Sequence, residues 1–118
     1  MTYNKYYDGF EGESKLVFFN DHHKFSMWIG YFESILDSLL YIELDKEGIL
    51  EEYYNHEGWY DDSPWMIPDR ALTITQLKQF DLNKVKQSEY IKGVLPELVR
   101  ELIDFLEDSR EKVWIEYD

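Results

Sequence analysis

Apolar residues recur along this chain with two spacings, and each spacing predicts a different kind of element. The run KLVFF at Lys15–Phe19, stopped by Asn20-Asp21, reads as a short buried strand. From Phe25 the apolar positions are Phe25, Trp28, Ile29, Phe32, Ile35, Leu36 and Leu39, offsets of 0, 3, 4, 7, 10, 11 and 14 that predict a helix. Asp21 is placed to cap that helix, while Gly30 opposes it by about 1 kcal/mol relative to alanine. Residues 39–44 (LLYIEL) and 49–54 (ILEEYY) flank DKEG, a four-residue connection ending in glycine that predicts a β-hairpin. On its second strand Ile49, Glu51 and Tyr53 would face one way and Leu50, Glu52 and Tyr54 the other.

Beyond the hairpin, HEGWYDDSP reads as a loop, because Gly58 and Pro64 interrupt regular structure. Thr73 and Gln76 have the spacing of a capping box, so a short helix is expected to follow, through about Phe80. Leu95, Leu98, Val99, Leu102, Ile103 and Leu106 form an unbroken helical stripe over residues 95–108, with Pro96 suited to the first turn. The opposite face of that helix carries Glu97, Arg100, Glu101, Asp104, Glu107 and Asp108. The closing KVWIEYD, residues 112–118, predicts a final strand. The order β-α-β-β-α-α-β implies one α+β domain over residues 1–118, a mostly antiparallel sheet with helices packed on one face. Trp28, Phe32, Trp114 and at least one of Tyr53 or Tyr54 are the expected large core rings.

Composition sharpens this picture. Apolar residues make up 44% of the 118, enough for a core and too many for a disordered chain. The net charge is -13, and its distribution is uneven. From Ser26 to Arg70 there are 11 acidic residues against Lys46 and Arg70 alone, whereas from Ala71 onward there are 10 against 7 basic. Such a charge repels nucleic acid and anionic membranes and steers a basic partner inward. Plain solubility would also be served by it. The absence of cysteine excludes disulfides, thiolate metal sites and cysteine nucleophiles. No stretch has the apolar length of a membrane span, and the first residues lack an apolar signal core, so a cytoplasmic protein is expected.

Candidate chemistry is sparse. No phosphate-binding loop, dinucleotide fingerprint or nucleophile elbow occurs. His22, His23, His56, Asp61 and Asp62 could be gathered into a metal site only with poor spacing, since adjacent histidines point apart. The pairs Glu51/Glu52 and Asp61/Asp62 could serve a glycosidase-like acid and base, but neighbours on a strand face opposite ways. The expectation is therefore no enzyme, no metal, no cofactor and no small-molecule ligand.

What stands out is EEYYNHEGWYDDSPW, residues 51–65, with six aromatic or histidine rings, five carboxylates and no lysine or arginine. Trp59, Tyr60 and Trp65 lie in the expected loop, where rings either fold back onto the core or anchor a partner. The candidate partner-binding residues are Glu51, Glu52, Tyr54, Glu57, Trp59, Tyr60, Asp61, Asp62 and Trp65. With this stretch, the acidic face of the last helix and KVWIEYD, the chain resembles the small acidic immunity proteins of contact-dependent growth inhibition and related bacterial polymorphic toxin systems. That resemblance implies a non-enzymatic cytoplasmic inhibitor of one cognate toxin domain, commonly a basic nuclease whose substrate surface it covers. A general adaptor or regulatory binding domain, and a small hydrolase or sugar-binding protein, remain open alternatives.

Overall fold

The computed structural model describes residues 2–41, 48–51, 64–67, 69–110 and 112–117. They form one α+β domain with a radius of gyration of 13.3 Å, near the roughly 13 Å of a compact chain this long. Five strands make a single sheet: β1 (Thr2–Tyr6), β2 (Lys15–Phe19), β3 (Lys24–Trp28), β4 (Trp65–Met66) and β5 (Trp114–Tyr117). Their spatial order is β1-β3-β2-β5-β4. Among the described residues only the β1–β3 pair is parallel, so the sheet is mostly antiparallel as expected.

Strand β2 falls on the predicted KLVFF. Asn20 then turns the chain, its Oδ1 accepting from the backbone N–H groups of His22 and His23 at 2.8 Å. The chain returns as β3, which corrects the predicted helix start at Phe25. Phe25 and Met27 alternate with exposed Lys24 and half-buried Trp28, and they pair across the ladder with Phe18 and Leu16. Ser26, between Phe25 and Met27, is buried as well, and it is the backbone pairing to β2 that displaces a helical reading of the same apolar positions. His22 and His23 accordingly sit exposed in a hairpin turn, with no helix to begin. Helix α1 runs over Ile29–Tyr41 and keeps the rest of the stripe, burying Phe32, Ile35, Leu36 and Leu39.

The predicted hairpin of residues 39–54 is overturned where the described residues reach it. Leu39 is fully buried within α1, and residues 49–51 are helical after Gly48, whose φ is +58°. Ile49 and Leu50 are both buried on these helical residues. Residues 42–47 and 52–54 of that expectation lie outside the described residues.

Helix α2 covers Arg70–Leu77 and is capped by Asp69, whose side chain accepts from Leu72 N at 3.0 Å. Thr73, predicted as the cap, lies a turn inside, its hydroxyl donating to the Asp69 carbonyl at 2.9 Å. A 3₁₀ turn at Leu82–Lys84 follows. Helix α3 spans Glu89–Asp108 with Ser88 as N-cap, so it begins at Glu89 rather than Leu95 and carries Pro96 in its interior. The stripe read from the sequence is intact: Leu95, Leu98, Val99, Leu102 and Leu106 are buried, joined by Phe105. Strand β1, in the segment read only as a polar lead, is another element that the pattern did not show, as are β4 and the 3₁₀ turn.

One face of the sheet carries most of the core, although Val17 and Ser26 on the opposite face are buried as well. Leu16, Phe18, Phe25, Met27 and Ile115 point toward α1 and α3, with Phe18 against Phe32 (centroids 5.9 Å apart) and Phe25 against Phe105 (5.8 Å). On the other face the register sets Phe19 beside Trp114 and Trp114 beside Met66. Trp114 is 37% exposed and Met66 39%, so the expectation of a core Trp114 is corrected. Trp28 is half-buried, and Phe32 is buried as expected.

Candidate partner-binding surface

Of the nine predicted interface residues, Glu51 and Trp65 belong to the described part. Glu51 is exposed on the helical residues 49–51 and not on a strand. Trp65 lies in β4, paired with Ile115, and not in a loop. Glu52, Tyr54, Glu57, Trp59, Tyr60, Asp61 and Asp62 lie outside the described residues, as do His56 and Tyr53. The described residues therefore do not bring the acid-aromatic stretch together.

They do assemble the acidic face of α3. Glu97, Asp104, Glu107 and Asp108 are exposed and Glu101 is half-buried, because the apolar stripe holds their opposite side against the sheet. Strand β1 closes one flank. Lys5 Nζ reaches Glu97 at 2.8 Å and Glu101 at 3.0 Å, and the Tyr6 hydroxyl donates to Glu101. These bonds hold the Lys5 ammonium above its ordinary pKa and the Glu97 carboxyl below its own, in each case chiefly through the Lys5–Glu97 hydrogen bond. Glu107 meets Lys78 at 3.9 Å.

Asp104 and Asp108 differ from these neighbours. They stand one turn apart and line, with Glu101, Phe25 and Phe105, a hollow of about 270 Å³ between α3 and the sheet. Neither forms an ion pair among the described residues. Like charges four residues apart on a helix repel, at a cost of a few tenths of a kcal/mol per pair. The arrangement lowers the stability of α3 and presents two unneutralised carboxylates beside two phenylalanine rings. It suits a lysine or arginine side chain, whose stem can lie on the rings while its head meets the carboxylates.

The sequence named this acidic face but not the hollow. Phe25 comes from β3 and Phe105 from α3, and their pairing depends on the misread helix start. Comparison with protein-family models, curated proteins and solved structures finds no match to this chain. Among the described residues no helix is long and apolar enough to cross a membrane, and no group of three or more histidine or carboxylate side chains is placed to hold a metal ion.

Proposed function

We propose that this protein is an immunity protein that binds a basic toxin domain, a nuclease in the favoured case, and covers its substrate surface. The observation that carries the reading is the unneutralised pair Asp104 and Asp108 on the acidic face of α3, in a chain of net charge -13. A nuclease surface is built to receive phosphates, and carboxylates set at similar intervals can take their place. The charge steers the partner in, and desolvated rings beside paired carboxylates slow its release. Residues 51–65 supply the second part of the proposed interface, with Glu57, Asp61 and Asp62 as charge and Trp59, Tyr60 and Trp65 as anchors. The inhibitor acts by occupying the surface and catalyses nothing.

Co-expression tests this reading. The protein should restore growth to cells producing the toxin domain encoded beside it, and Asp104→Lys with Asp108→Lys should weaken that rescue. Growth arrest undiminished by the wild-type protein would count against the proposal.

A further inference from the structure

A second hollow, of about 230 Å³, lies away from the α3 face, between α1 and the segment around the 3₁₀ turn. One side is a single helical face of α1: Ser34, Asp37, Ser38 and Tyr41. The other side is Lys84, Lys86 and Gln87. The ammonium groups of Lys84 and Lys86 stand 5.8 and 4.4 Å from the centre of the same Tyr41 ring. Two like charges gathered on one ring repel each other. In a chain with 25 carboxylates each could be neutralised, yet neither forms an ion pair among the described residues. Among the described residues, the pair gathers two positive charges at one spot of an acidic molecule.

The helical side has the opposite chemistry. Ser34 spends its hydroxyl hydrogen on the Gly30 carbonyl at 2.7 Å, and Ser38 spends its own on the Ile35 carbonyl at 2.7 Å. Both are therefore left as acceptors, and an ionised Asp37 is an acceptor only. A simple anion would meet the lysines favourably and Asp37 unfavourably. A simple amine would do the reverse.

We propose that this hollow binds a small zwitterion of the α-amino-acid class. Its carboxylate is held by Lys84 and Lys86, and its ammonium by Asp37 and the oxygens of Ser34 and Ser38. No sequence pattern announces it, because the lysines lie more than forty residues from the serines and no motif joins them. The inference is independent of the toxin reading, since it uses no residue of the α3 face.

The test is an amide NMR titration of the full chain with glycine, L-serine and L-glutamate, alongside acetate, inorganic phosphate and methylamine. Saturable shifts centred on Ser38, Tyr41, Lys84 and Lys86 are expected with at least one amino acid. Acetate, phosphate and methylamine should each bind roughly tenfold more weakly or not at all, having lost one charged contact. Lys86→Met, which keeps the stem and removes the charge, should weaken amino-acid binding roughly tenfold with an unchanged melting temperature. Asp37→Asn should erase the preference over acetate. No saturable shift with any amino acid, equal binding of acetate or phosphate, or full binding by Lys86→Met would each overturn the proposal.

Discussion

The indole of Trp28 occupies the space beside the Cα of Gly30, so that a methyl group at position 30 would fall 2.4 Å from its Cη2. The ring cannot easily yield. Phe10 stacks on it at 4.5 Å and 5°, and Tyr31 meets it edge-on at 5.3 Å. A glycine that weakens a helix in isolation is what lets β3 turn directly into α1 with Trp28 packed across the junction.

Gly30→Ala should therefore destabilise the protein by about 1–3 kcal/mol, the range for an overpacked site, although alanine is the better helix former by about 1 kcal/mol. Chemical denaturation measures the difference. Pairing the change with Trp28→Ala should remove most of the penalty, because the clash goes with the ring. A more stable Gly30→Ala variant would show that the indole is free to move aside.

Leu98 and Leu102 lie under α3 with 0% and 1% of their surface exposed. Replacing either by alanine should cost ~2–5 kcal/mol, read from urea unfolding. A loss below 1 kcal/mol would mean that the α3 stripe does not form the main contact with the sheet.

The Glu33 carboxyl on α1 is held above its ordinary value of 4.5, first by partial burial and then by Asp37 one turn later. The sign follows from linkage: the folded chain keeps this proton to higher pH than the unfolded one, so stability falls as pH rises through the interval above the ordinary value. Above the raised value the loss is complete. Glu33→Gln should flatten that part of the stability–pH curve and be neutral or stabilising at pH 7. An unchanged slope would assign the pH dependence to other groups.

Legibility in the sequence followed the uniqueness of the pattern. The Leu95–Leu106 stripe admits one period, and its buried face is the one expected. KLVFF and the closing strand were equally plain. Phe25, Trp28 and Ile29 satisfy a helical spacing by accident of composition, and only the pairing of Phe25 with Phe18 reveals a strand. LLY at 39–41 has no strand period of its own, and Leu39 simply extends α1. Strand β1 was hidden because its pairing to β3 is parallel and nonlocal. The acidic face of α3 was visible as charge, while the hollow that gives Asp104 and Asp108 their setting required the tertiary contact of Phe25 with Phe105.

On the outer sheet face, Trp114 and Met66 form an exposed cross-strand pair. If the partner extends onto this face, Trp114→Ala should speed dissociation with little change in association, by ~2 kcal/mol or more for a hot spot. Unaltered kinetics would confine the proposed interface to α3 and residues 51–65.

The most direct measurement is association kinetics with the purified product of the neighbouring gene, the proposed partner, over a series of salt concentrations. The proposed mechanism predicts tight one-to-one binding whose on-rate falls steeply with salt. It also predicts that Asp104→Lys with Asp108→Lys lowers that on-rate and flattens its salt dependence while the melting temperature is held or raised. An on-rate indifferent to salt and to both reversals would contradict an acidic surface as the means of recognition.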